Sequence, residues 1–132
     1  MKKFSLLVAV VSTILFAVVS NAEVRFVTSN ADSGEGSLRD AWFASASGDV
    51  IEIQEGLEIL LDSVMSVTNK TLTVRGLGSG AKVNGQGKTG MFFLRSSWGQ
   101  KPVLRFENIT FTNGYAKVGG VIVTDGGGTQ GS

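Results

Sequence analysis

The chain contains no cysteine and no histidine, and only one of its 132 residues is proline. Because cysteine is absent, no disulfide can form, and the fold must be held by its core and its backbone hydrogen bonds. The absence of both residues also excludes a conventional zinc site and a Ser-His or Cys-His nucleophilic pair. With 18 glycines against one proline, the turns are predicted to be formed mainly by glycine and asparagine.

The chain also lacks an excess of charge of either sign. Twelve basic and eleven acidic side chains give a formal net charge of +1. No basic stripe is available to displace phosphate counterions, so we expect no nucleic-acid partner. The length fits a single domain.

Residues 1–22 are predicted to be a Sec signal peptide. A basic start precedes an almost continuous apolar run over residues 4–19. Small residues, Ser20 and Ala22, then stand three and one positions before a predicted cleavage at Glu23. The alternative is an uncleaved membrane anchor, although the run is short for a membrane span. No second apolar run follows, so the mature chain is expected to be soluble or to be anchored by a feature that this sequence does not show. After Sec export it is expected to be secreted or to lie at the cell surface or outer membrane.

Residues 23–48 combine a strand with the only helix-like stretch of the mature chain. Residues 24–28 alternate in polarity and are rich in β-branched side chains, which predicts a strand. Ser37 can accept a hydrogen bond at a helix start, and Gly48 is suited to end the stretch. We therefore expect a short amphipathic helix over about residues 37–46.

Residues 49–125 alternate short apolar runs with turns, and the runs recur about every twenty residues, the scale of repeat architectures. A first set contains Ile51/Ile53, Leu72/Val74, Phe92/Leu94 and Ile109/Phe111. A second set contains Ile59/Leu61, Val83, Leu104/Phe106 and Val121/Val123, and a weaker third set includes Val64 and Val67. This pattern predicts an all-β parallel β-helix of about three to four rungs, stacked about 4.8 Å apart over an apolar column. A glycine-rich tail, residues 126–132, follows.

An ordinary β-sandwich is the alternative fold, because it also uses short strands and glycine turns. The phrase Asn-x-Thr-apolar-Thr occurs at residues 69–73 and again at residues 108–112, which we interpret as equivalent positions about two rungs apart. This repetition favours the solenoid. Asparagines in equivalent turns are expected to form a hydrogen-bonded ladder.

Five segments resemble motifs of secreted bacterial right-handed parallel β-helix proteins of the pectin-lyase-like class. Residues 27–41 are similar to the opening strand and "DSGxGSLRxA" helix of that class, and residues 48–53 to its "GDxIxI" strand. Residues 72–78 resemble "LTIxGxG", and residues 106–114 resemble "LxxLTITNG". Residues 119–122 are similar to the "GGAI" phrase of polymorphic outer membrane proteins, whose "FxxN" companion is not cleanly present.

The resemblance implies a surface or secreted protein, such as an autotransporter passenger or adhesin. It also implies that the helix covers the open end of the apolar column, as a capping element does in a solenoid. The expected structural cap consists of Ser37, Leu38, Arg39, Ala41 and Trp42. Members of this class usually have many more rungs, so we expect the chain to represent a truncated reading frame or a degenerate gene.

Residues 85–90 match the pattern GxGxxG, which suggests a phosphate site only if a helix follows. The next residues, 91–94, predict a strand instead. We therefore expect no nucleotide and no other cofactor.

An acidic run contains Asp49, Glu52, Glu55, Glu58 and Asp62. In a polysaccharide lyase of the resembled class, clustered carboxylates hold calcium for an acidic sugar. We interpret the run instead as a solvated face that discourages edge pairing, and expect no metal and no catalytic residue. Three arginines, Arg75, Arg95 and Arg105, are expected to line one outer face. Trp98, in a polar loop, is the candidate carbohydrate contact.

These features together predict an exported, non-catalytic β-helix scaffold of the adhesin or autotransporter-passenger type. Its expected partners are extracellular or host-surface glycans and proteins. The alternative is the N-terminal fragment of a pectin-lyase-like carbohydrate-active enzyme whose groove lies on further rungs. An open last rung presents unpaired strand groups, so self-association is also expected.

Overall fold

A computed structural model describes residues 22–95 and 101–115 and the backbone of residues 122–125. The predicted signal peptide up to residue 21, Trp98, residues 119–121 and the glycine-rich tail lie outside the described residues. Within the described part of the chain, no helix is long and apolar enough to cross a membrane.

The described residues are mostly strand, with one short helix. The helix α1 spans Leu38–Ala44 and follows the first strand, β1, which spans Val24–Val27. The remaining strands are β2 (Val50–Ile53), β3 (Glu58–Leu60), β4 (Met65–Thr68), β5 (Thr71–Gly76), β6 (Ala81–Asn84), β7 (Phe92–Arg95), β8 (Val103–Glu107), β9 (Ile109–Thr112) and β10 (Ile122–Asp125).

The strands stack into three parallel sheets. The first sheet has the order β1-β2-β5-β8, the second β3-β6-β9, and the third β4-β7-β10. Each consecutive trio from β2 onward contributes one strand to every sheet, and we call such a trio a rung. The fold is thus a β-solenoid of three rungs, each hydrogen-bonded to the next at a spacing of about 4.8 Å. The predicted solenoid is confirmed over the alternative sandwich, whose sheets are antiparallel.

The length of the repeat is not constant, and this corrects the predicted sets of apolar runs. Val50 pairs with Thr73, an offset of 23 residues, whereas Thr71 pairs with Val103, an offset of 32. The first two members of the first and second sets are placed correctly, whereas in the third set only Val67 lies on a strand, because Val64 precedes β4 and is exposed. Beyond them, Phe92/Leu94 belong to the third sheet, Leu104/Phe106 to the first and Ile109/Phe111 to the second. The connections between strands are longer in the later rungs. A fixed period of about twenty residues therefore assigns the later apolar runs to the wrong sheets.

The core is a column of inward side chains from all three sheets. Side chains alternate between the two faces of a strand, and paired residues in parallel strands share a face. The buried apolar residues on the strands of the first two rungs and directly beside them are Ile51, Ile53, Ile59, Leu61, Met65, Val67, Leu72, Val74, Ala81, Val83, Met91 and Phe92. In the third rung, Leu104, Phe106, Ile109 and Phe111 pack against this core but are only partly buried.

Asparagine residues with positive φ lie at two different corners of the solenoid, although the sequence around them is alike. Asn69 (φ 53°) precedes a strand of the first sheet, whereas Asn108 (φ 57°) precedes a strand of the second. The repeated phrase therefore reflects the same local geometry at different corners, and its interpretation as equivalent positions is wrong. The carbonyl of Asn108 lies so close to Gly76 that a Cβ at Gly76 would collide with it, which is why glycine is required there.

The predicted amide ladder forms between the second and third rungs. Asn113 Nδ2 donates to Asn84 Oδ1 at 3.2 Å, and Asn84 Nδ2 donates to Glu58 Oε1 of the first rung at 3.0 Å. The ladder thus begins on a carboxylate and continues through two amides, so it links all three rungs at one corner.

Candidate functional site

The N-terminal segment follows the contour of the first rung. β1 pairs with β2 in the first sheet. The chain then runs beside β3, where the carbonyl of Asn30 accepts from the backbone of Leu60 at 3.0 Å. Just beyond, the carboxylate of Asp32 accepts from the backbone of Asp62 at 2.7 Å. Residues 23–32 therefore bond to backbone groups of the first rung that would otherwise be unpaired.

Helix α1 begins where the sequence predicts. Ser37 is fully buried at the N-cap, and its hydroxyl accepts from the backbone of Asp40 at 3.2 Å. The helix ends earlier than expected, at Ala44. Its last turn is closed by Ser45, whose hydroxyl donates to the carbonyl of Ala41 at 2.6 Å, and not by Gly48.

Arg39 ties the helix to the connection that leads into β4. Its guanidinium donates to the carbonyls of Ser63 at 2.6 Å and Val64 at 3.2 Å. It also donates to Asp32, at 2.9 Å to the carboxylate and 3.2 Å to the carbonyl. Arg39 therefore satisfies carbonyl groups of the first rung that no strand covers. An arginine is suited to this because its planar fork holds several donors in fixed directions.

The carboxylate of Asp32 is held ionised by this arrangement. Partial burial acts to raise its pKa, but the bonds from Arg39 and from the backbone of Asp62 and Ser63 outweigh burial. The pKa of Asp32 therefore lies below its ordinary value, and the charge needed to hold Arg39 is present at neutral pH.

Trp42 enters the column from the helix. Its indole Nε1 donates to the carbonyl of Ser66 in β4 at 2.8 Å, and the side chain is only 2% exposed. Its ring stacks on Phe92 of the second rung with centroids 5.2 Å apart. Phe92 in turn contacts Phe106 and Phe111 of the third rung, at 4.8 and 6.0 Å. An aromatic chain therefore runs from the helix through the column.

The remaining residues of the expected cap lie against the same core. Leu38 is fully buried, and Ala41 is partly buried and packs against the core cluster. Phe43, on the same helix, is 65% exposed. Helix α1 thus has one apolar face on the column and one face in solvent.

Asp49 belongs to a cluster at the start of β2 that sequence reasoning missed. The acidic run was expected to be solvated, yet Asp49 is only 4% exposed. Its carboxylate accepts from the backbone of Ala46 at 2.9 Å and of Glu23 at 3.0 Å, and lies 3.6 Å from the Nε of Arg25. Those backbone bonds hold the pKa of Asp49 below its ordinary value. Only its position before a buried strand hinted at this role.

The other carboxylates of the run each bond to the rung that follows. Glu52 lies 3.9 Å from Arg75, Glu58 binds Asn84, and Asp62 accepts from the side chain of Gln86 at 2.9 Å. Glu55 accepts from the backbone of Ser79 at 2.8 Å, a bond that lowers the pKa of Glu55. These side chains therefore act as links between rungs, and in the described residues no three acidic groups converge as metal ligands.

The predicted arginine row is wrong. Arg75 is bonded to Glu107 at 2.7 Å and lies beside Glu52, which forms a column of alternating charge. Arg105 is in register with Thr73, in a different row of the first sheet. Arg95 is on the third sheet, where its guanidinium lies 5.2 Å from the centroid of the Phe93 ring. All three arginines lie on strands, but Arg75 and Arg105 are in different rows of the first sheet and Arg95 is on the third sheet.

The glycine-rich loop at residues 85–90 is a corner between two strands. The backbone of Gly87 donates to the carbonyl of Asn113 at 2.8 Å, and the backbone of Lys88 donates to Gly85 at 3.0 Å. As predicted, strand β7 follows, rather than a helix. The loop amides at Gly87 and Lys88 are thus bonded to carbonyls of the solenoid itself.

No protein-family model, no curated protein and no solved structure matches this chain. The functional interpretation therefore depends on the geometry of the described residues and on the motifs in the sequence. Contacts of Arg39, Trp42 and Asp49 join the N-terminal segment and α1 to the first two rungs.

Proposed function

We propose that this chain is the N-terminal part of an exported β-helix scaffold, secreted or displayed at the cell surface, of the adhesin or autotransporter-passenger type. The observation that carries this proposal is that outward-facing charged side chains of the first sheet form ion pairs between successive rungs. Arg75 of the second rung lies 3.9 Å from Glu52 of the first rung and 2.7 Å from Glu107 of the third. Such pairing favours a rigid stacked surface over a cleft that concentrates reactive groups.

The proposal includes a right-handed winding of the solenoid. Consecutive strands of each sheet are parallel and are joined by crossover connections. Connections of this kind between parallel strands are right-handed in about 98% of cases, because a right-twisted strand returns to its sheet most readily that way. The resemblance of residues 27–41 to the opening motif of right-handed β-helices supports the same winding.

Helix α1 is proposed to cap the column. The first rung would otherwise expose its apolar side chains and strand carbonyls, a surface that invites edge pairing. Leu38 and Trp42 supply the apolar cover, and Arg39 bonds the carbonyls of Ser63 and Val64. Ser37 starts the helix at the place where these side chains reach the column.

Export by the Sec route is proposed from residues 1–22, with cleavage before Glu23. In this scheme the outer faces of the sheets bind extracellular or host-surface glycans or proteins. Trp98 stays the candidate sugar contact, and a nucleic-acid partner is not expected because the net charge is near zero.

The proposed export and scaffold role are tested together in a Gram-negative host. The whole chain is produced with its own leader, fractions are taken from the medium, outer membrane, periplasm and cytoplasm, and the mass of the mature chain is measured. Recovery from the medium or the surface with a start at Glu23 supports export; cytoplasmic retention of the intact chain contradicts it. The secreted chain is then assayed on polygalacturonate with calcium, where robust turnover would establish the enzyme alternative and end the scaffold proposal.

Self-association is proposed at the third rung. Leu104, Phe106, Ile109 and Phe111 are only partly buried there, and within the described residues no strand pairs with the outer edges of β8 and β9. Unpaired edges next to apolar groups favour association. Light scattering over a concentration series should give a mass that rises with concentration, whereas a constant monomer mass would refute this part of the proposal.

A further inference from the structure

The backbone nitrogen of Glu23 points at a buried carboxylate. It lies 3.0 Å from Asp49 Oδ1, and Asp49 is 4% exposed. The other Asp49 oxygen, Oδ2, accepts from the backbone of Ala46 at 2.9 Å. Ala22, one residue earlier, is exposed. Glu23 is bonded to the fold through its backbone nitrogen and also through its carbonyl, which accepts from the backbone of Val50 at 2.9 Å.

The charges around this nitrogen do not balance. Two carboxylates, those of Asp49 and Glu23, share one guanidinium: Arg25 lies 2.9 Å from Glu23 and 3.6 Å from Asp49. The ammonium of Lys70 donates to the carbonyl of Ser45 at 2.7 Å, and among the described residues it forms no ion pair with either carboxylate. Within the described residues, Arg25 Nε is buried without a hydrogen-bond partner, so Arg25 does not fully satisfy Asp49. The cluster is one positive charge short of neutral.

We propose that Asp49 is the receptor for the new N-terminus formed when the Ala22–Glu23 bond is cleaved. Hydrolysis of that bond by a signal peptidase adds one water, leaves a carboxylate on Ala22, and releases the nitrogen of Glu23 as an amine that is protonated at neutral pH. This inference rests on the proposed cleavage site. The α-ammonium supplies the missing cation at the position where an amide N–H already donates to Asp49.

The consequence is that processing strengthens the attachment of β1. Before cleavage, Asp49 accepts a bond from a neutral amide, which is charge-assisted only through the carboxylate. Afterwards the donor is a cation, so the attraction between two opposite charges is added to the hydrogen bond. β1 is the edge strand of the first sheet and pairs only with β2 among the described strands. Fixing its first residue therefore secures the strand that leads into the rest of the N-terminal segment.

The effect has a defined pH dependence. The α-amine should lose its proton at higher pH in the folded chain than in the unfolded one, because Asp49 favours the charged form. Its contribution to stability is therefore present at neutral pH and is lost as the pH rises through the folded value. Arg25 opposes the ammonium by repulsion, and the Glu23 carboxylate offsets Arg25.

The test compares chains that differ only at the N-terminus. One begins at Glu23, and a second retains Asn21 and Ala22, which keeps every described residue and moves the ammonium two residues away. A third begins at Glu23 but is acetylated there, which removes the charge. Urea unfolding at pH 7 should give an unfolding equilibrium constant about fivefold smaller for the first chain than for the other two, which is the upper end of what an ion pair near the surface contributes.

The specificity of Asp49 is tested by Asp49→Asn in the first two chains. The fivefold difference should disappear in this background, and in the unsubstituted chains it should shrink as the pH is raised above 9. Equal stability of the unsubstituted chains, or a difference that persists in Asp49→Asn, would overturn the proposal. If Asp49→Asn does not fold, the comparison of the free and acetylated chains still tests the proposal, because both keep Asp49 and differ only in the charge of the N-terminus.

Failure of the cleavage prediction is distinguishable from failure of the receptor. An exported chain that begins at another residue overturns the role in the cell, whatever the comparison in urea shows. An exported chain that begins at Glu23 but gains no stability from its free ammonium leaves export intact and rejects Asp49 as the receptor.

Discussion

The two ends of the column differ in how their inward side chains are covered. In the first rung, Ile51, Ile53, Ile59, Leu61 and Met65 are all fully buried. In the third rung, Leu104, Phe106, Ile109 and Phe111 point into the same column but are only partly buried. In the first sheet, β2 of the first rung lies between β1 and β5, whereas among the described residues β8 of the third rung has a neighbour on one side only.

This difference shows that the burial of an inward side chain depends on whether a neighbouring rung or segment covers it, and not on the type of residue. The same types of side chain occur at both ends, and leucines occupy matched positions of adjacent rungs, at Leu72 and Leu104. A rung contacts only its neighbours, so its stability is the sum of its own contacts and those at each interface. Truncating a side chain that is covered on both sides should therefore lower the free energy of unfolding more than the same substitution in the third rung.

The largest effect is expected for Trp42→Ala. This change removes the stack on Phe92 and the bond to Ser66, and it leaves a cavity where a side chain is only 2% exposed. We expect a loss of about 3–5 kcal/mol in the free energy of unfolding, measured by urea denaturation. Phe43→Ala on the same helix is the matched control, because Phe43 is 65% exposed, and should change stability by less than about 0.5 kcal/mol. Equal losses in the two variants would show that the helix does not cover the column.

The second effect compares matched leucines. Leu72→Ala should cost about 2–5 kcal/mol, because it leaves a cavity in a fully buried site. Leu104→Ala, at the register partner, should cost about half as much or less, since a partly exposed side chain gains less from burial. Both are measured by urea unfolding at one protein concentration. A similar cost at both sites would mean that the third rung is covered in solution, for example by self-association.

A smaller effect is expected for Arg39→Lys. Lysine keeps the charge but cannot reach the Asp32, Ser63 and Val64 oxygens together. The expected loss is about 1–2 kcal/mol in the free energy of unfolding. Hydrogen exchange should increase in β4 and not in β8. A uniform increase along all strands would indicate that Arg39 affects the fold generally and not the edge of the first rung.

The smallest effect is an acid sensitivity of the N-terminal end. The pKa of Asp32 is lowered in the folded state, so its carboxylate stabilises the fold above the unfolded pKa, and this stability is lost as the pH falls through the folded value. Urea midpoints between pH 7 and pH 3 should fall for the unchanged protein. Asp32→Asn should lower the midpoint at pH 7 and give a flatter curve below about pH 4. Parallel curves would rule out the bonded carboxylate as a source of the acid sensitivity.

Much of the fold was predictable because strand and helix signals are local. The alternation in β2, the N-cap at Ser37 and the apolar residues Leu38 and Trp42 all have the roles in secondary structure and burial that the sequence predicts. The assignment of Phe92 to the first sheet failed because register depends on connection length, and the offset between rungs varies from 23 to 32 residues. When the corners differ in length, a fixed period along the sequence does not identify which strands pair.

The candidate site was predictable only in part. Its helix residues were found, but Asp49 was expected to lie in solvent, and Arg39 was named without its partners. Asp49 meets Glu23 across 26 residues of chain, and Arg39 meets Val64 across 25. No local pattern signals such contacts, since they exist only once the N-terminal segment has followed the contour of the first rung.

The sequence alone predicted the strand-rich repeat and the start of the helix, and it supplied the hypothesis of an export signal. Each of these depends on residues within a few positions of one another. The folded chain decided which strand stacks on which, which carboxylates are buried, and that the three arginines lie apart. Those outcomes depend on parallel pairing between residues more than twenty positions apart, and the lengths of the corners, rather than the strands, set that pairing.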